Sequence, residues 1–218
     1  MNITKFTHAC VQIETNGKNI LVDGGKYSLE AEKSNWNPPD FVFITHKHSD
    51  HFDEEFIKTI AKENTRFFAT SETAKAYPNT TFEIVKEGDE INLGEIKVRV
   101  TKAIHGYLPG LKHAGKEVFE GAGYVFELEE KKVYLVGDSI CFDSDVKCDV
   151  LFVPVCNHGL VMGPFEAAAF AKETGATVIV PYHYDSPNYP ADMDRVKREF
   201  EKLKLGCRIL ANGESFEI

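Results

Sequence analysis

The chain lacks the features that mark membrane proteins and disulfide-bonded secreted proteins. No apolar run approaches the roughly 18 residues of a membrane span, and the start MNITKFTHAC shows no signal-peptide pattern of a charged and then an apolar segment. Five cysteines, an odd number, are widely spaced and form no CxxC pair. We therefore expect buried thiols in a reducing compartment and a cytoplasmic protein.

The chain also has little positive charge. Its formal net charge is −9, and it contains no basic run, so we expect no binding to nucleic acid through phosphate neutralisation. A small anionic substrate that a metal binds is still compatible with this charge. The 218 residues contain no proline-rich linker, low-complexity tract or repeat, so we expect one domain over residues 1–218. Assembly into a homo-oligomer is left open.

Several segments have the periodicity and capping residues of helices. DEEFIKTIAKEN has one apolar face and Asp53 as its N-cap, and SETAKAY is capped by Ser71. Pro164 opens a helix that closes at Gly175, and DMDRVKREFEKLKLG ends at Gly206. The polar segment SLEAEKSNWNPPD is expected to be a loop.

Strand patterns fill most of the remaining chain. ACVQIET and NILVDGG flank a turn signal, GYVFELEEKKVYLVGDS is a hairpin, and CRILANGESFEI is expected to form two short strands. About ten strands, mostly in hairpins, and roughly four helices shared between the two halves are thus expected. Two mixed β-sheets packed face to face and flanked by helices use all of these elements, which predicts an α/β protein with a four-layer αββα sandwich.

The stretch THKHSDHFD concentrates a scarce residue type. The chain has eight histidines, and three of them fall within six positions. On a regular helix His46 and His48 would point about 200° apart, so they converge only where the chain is extended or irregular. Asp50 and His51 can then face a second position. The loop offers two ligand pairs, but two metals need more ligands than these.

Three further metal-competent residues follow apolar strands. His105 comes after KVRVTKAI, Asp138 after VYLVG and His183 after VIVPY. A single histidine in such a place is more often a surface or core group, and a single aspartate is more often a cap. Because the histidine-rich loop already indicates a metal site, it favours the ligand interpretation for all three residues together. Seven ligands would complete two metal sites that share one carboxylate.

The motif THKHSDHFD resembles the HxHxDH signature of the metallo-β-lactamase superfamily. HACVQIETNGKNILVDGG, YLVGDS, MGPFEAAAFA and PYHYD look more narrowly like its UPF0173-type, or ascorbate-6-phosphate-lactonase-like, metal-dependent hydrolases. The resemblance implies an αββα fold and two divalent metal ions. Zinc is the first expectation, with manganese, iron or nickel as alternatives. The implied ligands are His46, His48 and His105 for the first metal, Asp50, His51 and His183 for the second, and Asp138 as the bridge between them.

Four other residues have less certain roles. By resemblance, Asp23 would orient a metal-bound histidine, although an aspartate before two glycines is as readily a turn residue. His158, in the loop after VLFVPV, is expected either to reach the substrate as a proton donor or to be a surface group. GYLPGLKHAGKEVFEGAG carries His113 and could form a lid with glycine hinges. The role of His8 is open.

The resemblance implies a hydrolase in which a hydroxide shared by the metals attacks an ester, lactone or phosphodiester of a small molecule. Asp50, besides binding metal, would orient the nucleophile. The alternatives are a nuclease-type phosphodiesterase, a non-hydrolytic di-metal redox or sensor protein, and a metal-binding module without turnover. The net charge and the absence of an added domain count against the nuclease. The lack of a flavodoxin-like partner domain counts against the redox or sensor protein.

Overall fold

The structure, a computed structural model, describes residues 1–28 and 30–218. The strands in this part of the chain are β1 (Asn2–Lys5), β2 (Val11–Thr15), β3 (Lys18–Val22), β4 (Phe41–Phe43), β5 (Arg66–Ala69), β6 (Glu83–Ile84), β7 (Glu90–Asn92), β8 (Lys97–Ala103), β9 (Gly121–Leu128), β10 (Lys131–Leu135), β11 (Val150–Pro154), β12 (Val178–Tyr182) and β13 (Glu214–Glu217). The helices are α1 (Glu30–Lys33), α2 (Glu54–Ile60), α3 (Ser71–Ala76), α4 (Pro109–His113), α5 (Pro164–Thr174) and α6 (Met193–Lys202).

The strands form two mixed sheets. The first has the order β13-β1-β2-β3-β4-β5-β6, and the second has the order β12-β11-β10-β9-β8-β7. In the first sheet β3, β4, β5 and β6 run parallel, whereas β13, β1, β2 and β3 pair antiparallel. In the second sheet β10, β11 and β12 run parallel, and β7 to β10 are antiparallel.

The main core lies between the two sheets. Phe43 of β4 packs against Tyr124 and Phe126 of β9, with ring centroids 5.0 and 5.1 Å apart. β4 can be apolar along its whole length because a helix covers its outer face. Ile57 of α2 packs with Val42 on the outside of the first sheet, and α5 and α6 cover the outside of the second. The predicted four-layer αββα sandwich is confirmed.

Two of the predicted helix starts agree with the structure, and one differs by a residue. α2 begins after Asp53, which caps it by accepting the N–H of Phe56, and α5 begins at Pro164 and is closed by Gly175 in a left-handed conformation, both as predicted. The cap of α3 is Thr70, one residue before the expected Ser71, because the Thr70 hydroxyl accepts the N–H of Thr73.

Other expectations about secondary structure were wrong. The segment expected to be a loop contains α1, and the chain after α6 contains one strand rather than two. α6 ends at Lys202, four residues before Gly206. Within the described residues there are thirteen strands and six helices rather than about ten and four. No helix in this part of the chain is long and apolar enough to cross a bilayer.

Candidate metal centre

The histidine-rich loop after β4 is held in an irregular conformation by the turn after β3. The N–H of Gly24 donates to the carbonyl of His51 at 2.7 Å, and the N–H of Lys26 donates to the carbonyl of Ser49 at 2.8 Å. A Cβ on Gly25 would overlap the backbone of Asp50. The glycines of the DGG turn therefore allow two backbone segments to touch, which fixes the loop without a helix or a strand.

The structure brings all seven proposed ligands into one cluster. They are His46, His48, Asp50, His51, His105, Asp138 and His183. Within the cluster, candidate ligand atoms of His46, His48 and His105 lie within 4.8 Å of one another, and so do those of Asp50, His51 and His183, which His8 joins. Each of these groups thus offers ligands for one metal.

Asp138 lies between the two groups. Its Oδ2 is 3.1 Å from Nε2 of His183 and 3.5 Å from Nε2 of His105, and its Oδ1 is 3.4 Å from Nε2 of His51. β10, which precedes Asp138, is an inner strand of the second sheet. A carboxylate at the end of such a strand reaches histidines of both sheets, so its two oxygens can serve both groups.

Two of the imidazoles are oriented by carbonyl groups. Nε2 of His48 lies 2.7 Å from the carbonyl oxygen of Lys116, and Nδ1 of His105 contacts the carbonyl oxygen of Gly106. A carbonyl oxygen only accepts hydrogen bonds, so both of these nitrogens carry hydrogen. The other nitrogen of each ring, Nδ1 of His48 and Nε2 of His105, is therefore the one that could bind a metal.

Asp23 and Thr45 orient two more imidazoles. Nδ1 of His51 donates to Oδ2 of Asp23 at 2.7 Å, and the hydroxyl of Thr45 donates to the same oxygen at 2.8 Å. Because the Thr45 proton is used in that bond, Nδ1 of His46, at 3.0 Å, donates to the Thr45 hydroxyl. Nε2 of His46 and Nε2 of His51 thereby face the interior of the cluster.

Several ligand atoms of the cluster are buried without a hydrogen-bond partner. They are Nε2 of His46, Nε2 of His51, Oδ1 of Asp138, Nδ1 of His183 and Nδ1 of His8. Buried polar atoms in proteins nearly always have partners, and leaving one unpaired costs about 1–3 kcal/mol. Five such atoms in one cluster fit a site for cations, and imidazole with carboxylate suits zinc as well as manganese, iron or nickel.

The charges in the cluster also favour cation binding. Burial lowers the pKa of His46 well below its usual value, which leaves a neutral imidazole. Burial raises the pKa of Asp138, but the neighbouring His183 and His51 outweigh it and hold this pKa well below the usual range. In the same way the pKa of Asp50 is lowered despite burial, by the hydrogen bond from His8 and by the charge of His51. Both carboxylates are therefore ionised.

His51 and Asp23 retain a proton between them. Burial alone would lower the pKa of His51, but Asp138 and Asp23 raise it well above its usual value. Burial in turn raises the pKa of Asp23. Both shifts favour a hydrogen between Nδ1 of His51 and Oδ2 of Asp23. Nε2 of His51 is directed at Asp138.

A cavity of about 490 Å³ opens over the cluster. Its walls include Tyr27, Tyr77, Tyr189, Leu111 and Leu160 besides the ligands. Leu111 belongs to α4, within the segment expected to be a lid, and packs on the buried Leu160. The cavity therefore combines polar side chains of the cluster at its floor with aromatic and aliphatic walls.

The two other histidines named from the sequence lie outside the cluster. His158 is exposed, and its ring rests on Tyr189 with centroids 4.7 Å apart. His113 is exposed at the end of α4. Neither lines the cavity over the cluster, so a substrate contact for His158 stays a prediction, and the role of His113 stays open.

His8 joins the cluster although the sequence pointed to no role for it. Its Nε2 is 3.1 Å from Oδ2 of Asp50, and its ring centroid is 4.0 Å from that of His183. It follows β1, so its position after a strand matches that of His105, Asp138 and His183. That shared position was the one sequence signal that could have identified it.

Comparisons with known proteins agree with this geometry. Residues 2–183 match the family described as Beta-lactamase superfamily domain. The chain is 32% identical to a UPF0173 metal-dependent hydrolase of Bacillus cereus, with 100% of both chains covered.

Solved structures with lower sequence identity share the fold. Igni18, a metallo hydrolase from the archaeon Ignicoccus hospitalis, has a TM-score of 0.79 at 24% identity, with 100% of this chain and 98% of that chain covered. The isothiocyanate hydrolase from Delia radicum gut bacteria has a TM-score of 0.79 at 19% identity, with 100% and 99% covered.

Proposed function

The chain belongs to the beta-lactamase superfamily and is a metal-dependent hydrolase of the UPF0173 type, and from this premise we propose that it uses two divalent metal ions to hydrolyse an ester, lactone or phosphodiester of a small molecule. The proposal treats residues 1–218 as one catalytic domain. The observation that carries it is the set of buried histidine and aspartate atoms of the cluster that lack hydrogen-bond partners among the described residues.

The ligands are proposed to divide into two sets. His46, His48 and His105 would bind the first metal. Asp50, His51 and His183 would bind the second, and Asp138 would contribute an oxygen to each. Zinc is the first candidate because nothing in this nitrogen and oxygen set requires a softer or harder ion, and manganese, iron and nickel accept the same ligands.

Bound metals would supply a nucleophilic hydroxide at neutral pH and polarise the oxygen of the scissile group. The chain itself supplies orientation. Asp50 is an ionised carboxylate at the floor of the cavity, so it can accept a hydrogen bond from the attacking water and turn its lone pair toward the substrate. Asp23, Thr45 and the carbonyl of Lys116 keep the imidazoles from rotating.

The cavity favours a small substrate. A volume of about 490 Å³ falls within the range of roughly 300–1,000 Å³ that is usual for small-molecule sites. The tyrosine and leucine walls suit a substrate with an apolar portion, and the net charge of −9 does not favour a nucleic acid.

Elemental analysis combined with an activity panel tests the proposal. Purified protein loaded with Zn²⁺ or Mn²⁺ is expected to contain close to two equivalents, and it is expected to hydrolyse at least one of a set of lactones, phosphodiesters and thioesters. Hydrolysis should disappear with a chelator and return with metal. A loaded protein with two equivalents that hydrolyses nothing in a broad panel would contradict the catalytic part of the proposal.

A further inference from the structure

His8 is fixed in a strained backbone conformation beside the proposed second metal site. It has a φ of +64° and a side chain that is 1% exposed. Non-glycine residues adopt positive φ at a cost, and they keep it where the surrounding structure imposes it. The position of this imidazole is therefore imposed by its neighbours rather than by local preference.

Both backbone polar groups of His8 are bonded to the segment that carries His183. The N–H of His8 donates to Asp185, at 3.0 Å to Oδ1 and 3.2 Å to Oδ2. The carbonyl of His8 accepts the N–H of His183 at 3.1 Å, and His183 also has a positive φ, +63°. The loop after β1 in one sheet is thus joined directly to the loop after β12 in the other.

Asp185 is itself anchored by a buried lysine. Nζ of Lys5, whose side chain is 0% exposed, lies 3.3 Å from Oδ2 of Asp185 and 2.6 Å from the side-chain oxygen of Asn212. A buried charge of this kind remains only where it is paired. The chain of contacts therefore runs from Lys5 through Asp185 and His8 to Asp50.

We propose that His8 is a positioning residue, which donates a hydrogen bond from Nε2 to Oδ2 of Asp50 and so turns the other oxygen of that carboxylate toward the second metal site. The proposal rests on the two-metal function proposed above. His8 would bind no metal itself.

The chemistry of the contact supports donation rather than ligation. Nε2 of His8 lies 3.1 Å from Oδ2 of Asp50, within hydrogen-bond distance, and the tautomer with hydrogen on Nε2 donates to that carboxylate. The other ring nitrogen of His8, Nδ1, lies 3.9 Å from Oδ1 of Asp185, on the side of the ring that faces the anchoring segment. The bond also fixes one of the two oxygens of Asp50. The carboxylate has therefore lost rotational freedom before a metal binds. Partners of this type change metal affinity by about 10–100-fold.

Two substitutions separate this role from others. His8→Gln places an amide N–H where Nε2 lies, so it can still reach Asp50. His8→Asn places its amide N–H where Nδ1 lies, so the side chain is too short to reach Asp50. Asparagine also tolerates positive φ well. Thermal unfolding of the metal-free proteins shows whether each variant folds.

The measurement is Zn²⁺ affinity, determined by competition with a chromophoric chelator, for wild type and both variants. We expect two equivalents in each protein, with one of them bound about 10–100-fold more weakly in His8→Asn and within a few-fold of wild type in His8→Gln. Equal affinities in all three proteins would overturn the positioning role. Loss of a whole equivalent in both variants would show that His8 is a ligand and would also overturn it.

A double-mutant cycle with Asp50→Asn shows whether His8 acts through Asp50. In that background, His8→Asn is expected to cause no further loss of affinity. The same loss in both backgrounds would assign His8 a general structural role and contradict the proposal. If wild type itself binds fewer than two metals, it is the two-metal function that fails, and the two failures are thereby distinguished.

Discussion

Oδ2 of Asp23 accepts a hydrogen bond from Nδ1 of His51 at 2.7 Å, and both side chains are almost completely buried. Oδ1 of the same carboxylate accepts the N–H of Thr45 at 2.9 Å. Asp23 follows β3, whereas Thr45 and His51 lie in the loop after β4. One carboxylate thus joins two neighbouring strand ends and sets the direction in which an imidazole faces the cluster.

This contact predicts a specific effect of Asp23→Asn. Asparagine tolerates the positive φ of this residue, +49°, so the backbone should stay in place, but the loss of negative charge weakens the hold on His51. We expect Zn²⁺ affinity at one site to fall by about 10–100-fold, as measured by chelator competition. Asp40→Asn is the matched control, since Asp40 lies before β4, at the strand end away from the cluster, where it accepts the N–H of Asn19. Unchanged affinity in Asp23→Asn would show that Asp23 is only a turn residue.

Asp50→Ala tests the orientation of the nucleophile. We expect turnover to fall by orders of magnitude while the protein stays folded, because Asp50 is proposed both to bind the second metal and to orient the attacking water. Asp145→Ala is the control, since Asp145 is an exposed carboxylate paired with Arg99. Initial rates with the best substrate and circular dichroism are the measurements. Near-wild-type hydrolysis in Asp50→Ala would exclude this role.

Lys5→Met tests the anchor below the cluster. Removing one partner of a buried ion pair leaves the other charge unpaired, so we expect the free energy of unfolding to fall by about 3 kcal/mol at pH 7. Urea unfolding of the metal-free wild type and variant measures it. A loss below about 0.5 kcal/mol, as is usual for surface substitutions, would mean that Lys5 does not stabilise this region.

The same comparison has a predicted pH dependence. Burial raises the pKa of Asp185, but Lys5 and the N–H of His8 outweigh it and lower this pKa. A lowered carboxyl pKa contributes stability that is present above the ordinary value near 4 and is lost as the pH falls through the lowered one. The difference in unfolding free energy between wild type and Lys5→Met should therefore be largest near neutral pH and shrink in acid. A difference that grows in acid would contradict this sign.

His158→Ala tests the one predicted catalytic residue that lies outside the cluster. If His158 donates a proton to the leaving group, the variant keeps its metal content and loses kcat, with a smaller loss for substrates with good leaving groups. The ring rests on Tyr189, which lines the cavity, so a substrate contact requires a substrate that extends past that tyrosine. Equal rates for wild type and variant across leaving groups of very different pKa would show that His158 is a surface group.

The sequence predicted the layer architecture because the strands and long helices carry strong local patterns. α2 and α5 have an N-cap or an N-terminal proline that is visible in the sequence, and both begin where predicted. α1 was missed because four residues are too few to show a helical period. The strand pattern of FEIV does contain β6, but its pairing with β5 is a tertiary contact that no local pattern contains.

The position of the cluster could be predicted only in part. The HKHSDH loop concentrates ligand residue types, and the strand-end residues could be grouped with it once the family resemblance was recognised. His8 carries no comparable spacing signal. Its place beside Asp50 depends on the contact of the loop after β1 with the loop after β12, which lie in different sheets. Contacts between loops of different sheets are set by the whole fold, so one sequence does not reveal them.

Anomalous diffraction from crystals of the zinc-loaded protein tests the two-metal account most directly. The account predicts two zinc peaks per chain, one bound by His46, His48 and His105 and the other by Asp50, His51 and His183, with Asp138 contacting both. A single peak after saturation with Zn²⁺, or two peaks of which one lies away from these residues, would contradict it.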